Sequence, residues 1–99
     1  MNNLDKTGHS TEHEDILVEE LVSVGAFNIV LYNDDVNSFD HVIECLVKYC
    51  NHDAIQAEQC AWIVHLKGKC SVKSGSYDDL EPVCVALCDK GLSAQIEMN

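Results

Sequence analysis

Residues 26–50, AFNIVLYNDDVNSFDHVIECLVKYC, contain the change from a strand to a helix that decides the fold. The apolar run at 26–31 is rich in β-forming residues and has the length of a strand. The Asn and Asp residues at 33–35 then favour a turn, because their side chains bond to nearby backbone groups. An apolar stripe at helical spacing follows and predicts a first helix over 38–50.

Capping residues bound the next helix, and an alternating segment follows it. Asp53 is placed as an N-cap and Gly68 as a C-terminal stop, which predicts a second helix over 54–67. Polar and apolar residues then alternate over 69–73, as in a strand with one face in water. The three-residue break between the first two helices predicts that they fold back on one another.

The last third of the chain predicts one more helix and one more strand. A Ser-Gly-Ser turn at 74–76 leads into a third helix over 77–89, whose apolar residues include Cys88 on the inward face. Pro82 is tolerated best in the first turn of a helix, which moves the expected start to 78 or 79. The final strand is indicated by three alternating apolar residues, Leu92, Ala94 and Ile96.

The element order β-α-α-β-α-β predicts an α+β fold. Its expected architecture is a three-stranded antiparallel sheet with three helices packed on one face. The expected core domain spans residues 25–99. Residues 1–24 are rich in polar and acidic side chains at their start and are predicted to form a flexible acidic N-terminal extension.

Composition excludes several classes of function. With 99 residues and 46% hydrophobic composition the chain suits one domain with a modest core. No apolar run approaches the roughly 18 residues that span a bilayer, and no signal pattern is present, so a cytoplasmic protein is expected. A net charge of −11, six lysines and no arginine argue against nucleic acid and anionic membranes as partners. Such a charge most commonly serves solubility, and it can also attract cationic ligands or basic surfaces.

The six cysteines are interpreted as reduced core thiols. They lie mostly within apolar periodic segments, and no C-x-x-C motif is present. One helical turn separates His41 from Cys45 and Cys84 from Cys88, which leaves two metal half-sites conceivable. Packing is the more common use of such residues, and we expect neither a metal nor another cofactor.

The acidic turn at 33–35 permits three interpretations. Adjacent carboxylates and His65 are compatible with a metal-dependent hydrolase, and a turn that only caps the next helix suits an interaction module. If the two helices form a hairpin, however, His65 approaches the turn, and Val42, Ala61 and Val64 line an apolar hollow. An apolar floor with a rim of acceptors suits a ligand that carries an ammonium group beside a hydrophobic group.

Several motifs together resemble the ClpS family of Clp protease adaptors. They are "NDD" after an apolar strand, the amphipathic helix behind it, "QAEQ" at 56–59 and "VHLKGK" at 64–69. The resemblance covers about residues 26–97. It implies a fold similar to the C-terminal domain of the ribosomal stalk protein, in agreement with the element order.

The resemblance also implies a function. Members of this family are not enzymes; they bind the free α-amino group and the large hydrophobic first residue of N-degron substrates, namely Leu, Phe, Tyr or Trp. They deliver the substrate to a AAA+ unfoldase such as ClpA, whose N-terminal domain is the expected partner. We therefore expect a monomeric adaptor that needs no cofactor.

Site residues are carried over from the family's motifs. The α-amino group is expected to bind Asn33, Asp35 and His65, with Asp34 adding negative potential. The hydrophobic pocket is expected to consist of Leu31, Asn37, Phe39, Val42, Ala61, Val64 and Leu92. Phe39 and Ala61 stand where methionine is usual or frequent, and Asn37 where threonine is usual, so the preference among first residues is a separate question.

Overall fold

The computed structural model describes residues 26–99, and the predicted extension over 1–24 lies outside them. Six elements follow one another: β1 (Phe27–Tyr32), α1 (Phe39–Cys50), α2 (Ala54–Lys67), β2 (Lys69–Gly75), α3 (Tyr77–Asp89) and β3 (Ser93–Met98). The predicted order β-α-α-β-α-β is confirmed.

The three strands form an antiparallel sheet in the order β2-β1-β3, so the first strand lies in the centre. Ile29 and Leu31, two residues apart on β1, are fully buried and belong to the core under the helices. The three helices contribute buried side chains to the same core. The predicted α+β fold with helices on one face of the sheet is therefore confirmed.

The second strand is longer than predicted and contains a bulge. Ile29 pairs with Lys73 whereas Val30 pairs with Ser71, so Val72 is an extra residue in β2. The pairing continues as far as Gly75, where a turn was predicted, because the start of β1 offers partners for the longer strand. The buried His52 donates a hydrogen bond from Nε2 to the Val72 carbonyl at 2.7 Å.

Capping explains the bounds of the first two helices. The Ser38 side chain accepts a hydrogen bond from the His41 backbone N–H at 3.1 Å and so caps the start of α1. The Asp53 side chain caps α2 in the same way. Gly68 ends α2 in the left-handed conformation at φ 95°, a backbone geometry that favours glycine. The predicted bounds of α2 are confirmed.

Helices α1 and α2 form the predicted hairpin. The short connection between them contains Asn51 in the left-handed conformation, at φ 63°. Reversal of the chain places the start of α1 beside the end of α2. A hydrogen bond of 2.9 Å from the Asn33 backbone N–H to the Gly68 carbonyl joins the end of β1 to the end of α2.

The third helix begins earlier than Pro82 suggested. It starts at Tyr77, because the Ser76 side chain caps it by accepting from the Asp79 backbone N–H at 3.2 Å. Pro82 consequently lies beyond the first turn, where it removes one helical hydrogen bond, the one to the exposed Asp78. The fully buried Leu80 holds this end of the helix in the core.

All six cysteines are free thiols. Burial raises the pKa of the Cys50 thiol to about 11, which keeps it protonated and unreactive at neutral pH. Cys88 is exposed, so its predicted inward position was wrong, although its thiol donates to the Ala94 carbonyl at 3.3 Å. The described residues include no helix long and apolar enough to cross a bilayer.

Candidate functional site

A cavity of about 530 Å³ opens where the end of β1, the start of α1 and the end of α2 meet. This volume is within the range of sites that enclose small ligands, about 300–1,000 Å³. The residues that line it are Asn33, Asp34, Asp35, Asn37, Phe39, Val42, Ala61, Trp62, Val64 and His65. The hairpin accounts for this assembly, because it brings the two helix ends to the acidic turn.

Three apolar residues form the floor of the cavity: Val42 from α1, and Ala61 and Val64 from α2. Only 3% of Ala61 and 5% of Val64 is exposed. These two residues lie three positions apart and therefore share one face of α2. An apolar group of a ligand can be buried against this floor.

Two predicted pocket residues lie elsewhere. Leu31 and Leu92 do not line the large cavity; they line a separate cavity of about 20 Å³. The two cavities adjoin one another, because their linings share five residues: Asn33, Asp34, Asn37, Val42 and Val64. Leu31 and Leu92 are 1% and 5% exposed, and in this structure they support the floor from the core.

Asp34 organises the turn through its own hydrogen bonds. Its carboxylate accepts from the backbone N–H groups of Val36 and Asn37, both at 2.9 Å, from Asn37 Nδ2 at 2.8 Å and from Ser93 Oγ at 3.4 Å. The bond from the Asn37 backbone contributes most to holding the pKa of Asp34 below its usual value, although partial burial opposes it. The Asp34 carboxylate therefore already accepts hydrogen bonds from groups of the protein itself.

Asn37 ties the same turn to the segment before β3. Besides its bond to Asp34, the Asn37 amide donates to the Gly91 carbonyl at 2.8 Å. Both hydrogens of one amide group thereby join two separate parts of the chain. We call Asp34 and Asn37 the turn anchor, because their bonds hold the turn in shape.

A second set of polar groups, the acidic rim, consists of Asn33, Asp35 and His65, which are all exposed. Within residues 26–99 no hydrogen bond or ion pair engages these three side chains, so their acceptors face the cavity unoccupied. The backbone of Asn33 is nevertheless held by its bond to Gly68. The rim combines one carboxylate, one amide and one imidazole around an opening with an apolar floor.

Trp62 lines the cavity and was not among the predicted site residues. Its ring centroid lies 4.7 Å from that of Phe39 and 6.1 Å from that of His65. The signal in the sequence was its position, one residue after Ala61 and three before His65, beside two predicted site residues on the same helix. Its aromatic ring forms part of the cavity mouth.

The arrangement can bind a ligand that combines a positive charge with an apolar group. An unpaired carboxylate beside an amide carbonyl and an imidazole suits a positively charged donor, and the floor suits an apolar group attached to it. The residues that the structure describes contain no group of three His, Cys, Asp or Glu side chains placed to hold a metal ion.

Comparison with known proteins identifies relatives of the chain. The family described as "ATP-dependent Clp protease adaptor protein ClpS" matches residues 24–95. Among solved structures, ClpS2 of Agrobacterium tumefaciens, bound to L-phenylalaninamide, superposes with a TM-score of 0.71 at 19% sequence identity. The match covers 74% of this chain and 95% of that chain. At this level of identity the structural likeness concerns the fold.

Proposed function

Because the chain belongs to the ClpS family of Clp protease adaptors, we propose that its cavity binds the first residue of N-degron substrates. The observation that carries this proposal is the meeting, in one cavity, of a buried apolar floor and an unpaired acidic rim. The floor takes a large hydrophobic side chain, Leu, Phe, Tyr or Trp. The rim takes the free α-amino group attached to the same residue.

The rim is suited to an α-amino group in charge and in hydrogen bonding. An α-amino group has a pKa of about 8 and is largely protonated at neutral pH, with three N–H donors. Asp35 supplies a carboxylate, Asn33 an amide carbonyl, and His65 a ring nitrogen that accepts when neutral. Asp34 adds negative potential next to them, while its own acceptors remain bonded to the turn.

Neither part of the cavity is sufficient by itself. Burial of one Leu or Phe side chain contributes about 1.5–3 kcal/mol, and a hydrogen bond to a charged group about 1.5–3 kcal/mol. Micromolar affinity requires about −8 kcal/mol after the costs of association. Selective binding therefore requires a free amino group and a large apolar side chain on the same residue.

The related structure supports this choice of ligand. The Agrobacterium protein was solved with L-phenylalaninamide, a molecule with a free amino group and an aromatic side chain. The same pair of groups matches the rim and floor of the present cavity. Phe39 lines the same cavity. We infer that its ring limits the space beside Cβ of the first residue, so Val-first and Ile-first peptides are expected to bind weakly.

The bound substrate is then delivered to a AAA+ unfoldase of the Clp protease. We take the N-terminal domain of a ClpA-type unfoldase as the partner, on the basis of family membership. The protein holds the substrate without cleaving it and acts in the cytoplasm. A monomer suffices for this role, because one chain supplies every residue that lines the cavity.

A peptide panel tests the proposed function. Fluorescence anisotropy compares peptides of one sequence that begin with free Phe, free Leu, N-acetylated Phe or free Val, each labelled at the C-terminus. The free Phe and Leu peptides should bind, and the acetylated and Val peptides should bind at least about tenfold more weakly. Equal affinity for all four peptides, or no binding of any, would contradict the proposal and favour an interaction module of another kind.

Delivery has a separate readout. Degradation of a Phe-first reporter protein by a ClpA-type unfoldase and its protease should accelerate when this protein is added. The same reporter with an acetylated N-terminus serves as the control. Binding of the peptides without any acceleration would retain the cavity's role and exclude this unfoldase as the partner.

A further inference from the structure

Trp62 is the one tryptophan of the chain, and the residue is 48% exposed where it lines the cavity. Large aromatic side chains are usually more buried than this in a folded core. One part of the ring packs against Phe39, with centroids 4.7 Å apart and planes tilted by 58°. The indole also lies 6.1 Å from the His65 ring, and its exposed part is available to a ligand.

A peptide whose first residue binds as proposed would carry its second residue out past the opening that Trp62 lines. This step rests on the proposed function, in which the first side chain occupies the floor and the α-amino group the acidic rim. The third substituent on the first Cα leads to residue 2 and must leave through the mouth. Trp62 and Phe39 are the aromatic residues that line the cavity, and Trp62 is the more exposed of the two.

An acidic side chain accompanies Trp62 on the same face of α2. Glu58 precedes it by four residues, which is one helical turn, so the two side chains are neighbours. Glu58 is exposed, and its carboxylate forms no ion pair within the described part of the chain. Trp is the aromatic side chain that binds cations best, and a carboxylate beside it increases the attraction.

The charges around the cavity favour the same ligand. Asp34 and Asp35 line it, whereas no lysine does, and the chain carries a net charge of −11. We propose that Trp62 and Glu58 form a second subsite, which binds a basic side chain, Lys or Arg, at residue 2 of the substrate. The subsite adds affinity for N-degrons in which a hydrophobic first residue is followed by a basic one.

Two peptides that differ only in charge test the subsite. One begins Phe-Arg and the other Phe-citrulline, because citrulline has the shape of arginine without its charge. An exposed cation–π contact and an exposed ion pair are each weak, because water screens both, so the expected effect is modest. We expect the wild type to bind the Phe-Arg peptide about three- to tenfold more tightly.

Variants separate a local subsite from the general negative field. Trp62→Leu should reduce the preference for Arg to about twofold or less, Trp62→Phe should retain part of it, and Glu58→Gln should lower it. Glu81→Gln, which removes an exposed carboxylate from α3, is the matched control and should leave the preference unchanged. Because Trp62 and Glu58 are exposed, these variants should fold, which circular dichroism checks.

The possible outcomes distinguish the subsite from the function on which it rests. Binding of both peptides with equal affinity overturns the subsite and retains the first-residue pocket. An equal preference for Arg in the wild type and in Trp62→Leu also overturns the subsite, because it assigns the preference to long-range charge. Failure of both peptides to bind overturns the pocket and the subsite together.

Discussion

The turn anchor and the acidic rim use adjacent residues of one turn in opposite ways. Asp34, in the anchor, accepts hydrogen bonds from two backbone groups and two side chains. Asp35, in the rim, is exposed and has no partner within residues 26–99. The hydrogen bonds that Asp34 accepts within the protein fix the shape of the turn. The carboxylate of Asp35 has no such partner among the described residues and remains available to a ligand. A preorganised site needs both, because a mobile rim would lose entropy on binding.

The largest effect that separates the two regions is expected from Asp35→Asn. This change keeps the shape of the side chain and removes the charge that faces the α-amino group. Loss of one charged hydrogen bond, about 1.5–3 kcal/mol, predicts about 10- to 100-fold weaker binding of a Phe-first peptide by anisotropy. The melting temperature should remain within about 3 °C of the wild type, because surface changes without partners alter stability by less than about 0.5 kcal/mol.

Glu81→Gln serves again as the matched removal of one carboxylate, and its affinity should equal that of the wild type. A large fall in the melting temperature of Asp35→Asn would contradict the separation of the acidic rim from the turn anchor, because it would show that Asp35 also stabilises the turn.

Asp34→Ala is expected to act mainly on stability. It removes the acceptor for the backbone of the turn, at a cost of about 1–2 kcal/mol, which lowers the melting temperature by about 5–10 °C at pH 7. The pKa of Asp34 is lowered in the folded protein, so its contribution is fully present above the unfolded value of about 3.9. That contribution is lost as the pH falls through the folded pKa.

Thermal melts of the wild type and Asp34→Ala between pH 7 and pH 2 measure this dependence. The two melting curves should converge in acid. A difference in melting temperature that is constant across this range would contradict the assignment of the effect to the ionised carboxylate.

The smallest effect is expected from Asn37, the second member of the turn anchor. Asn37→Ala removes the amide bonds to Asp34 and Gly91 and should lower the free energy of unfolding by about 1 kcal/mol, measured in urea. Asn37→Thr should lose less, because its hydroxyl can donate one of the two bonds. Peptide affinity should change less than about threefold in both variants. A loss as large as that of Asp35→Asn would show that Asn37 contributes directly to peptide binding and contradict its assignment to the turn anchor.

Local signals in the sequence were sufficient for most of the fold. Asp53 and Gly68 bound α2 as predicted, because N-capping and the left-handed C-cap depend on residues close in sequence. The end of β2 and the start of α3 were less predictable. Gly75 joins β2 because β1 pairs with it, and Pro82 is tolerated where Ser76 and Leu80 already hold the helix.

The candidate site was likewise predicted in part from the sequence. Motifs that resemble the ClpS family pointed to the acidic turn and to the C-terminal half of α2, and all predicted site residues except Leu31 and Leu92 line one cavity. The pocket role of Leu31 and Leu92 was implied by the resemblance, and a motif does not show which of two adjoining cavities a core side chain lines. Trp62 was missed because its role depends on contact with Phe39, which is distant in sequence.

The sequence alone determined the element order, most helix ends and the chemical character of the turn, because caps, periodicity and charge act over a few residues. The sequence predicted that side chains at 33–35 bond the turn, but only the folded structure shows that Asp34 makes these bonds, with Ser93 added, while Asp35 stays open to the cavity. The two residues are identical in type and adjacent. They differ in what the fold brings to each carboxylate: Asn37 and Ser93 donate to Asp34, and no described group donates to Asp35.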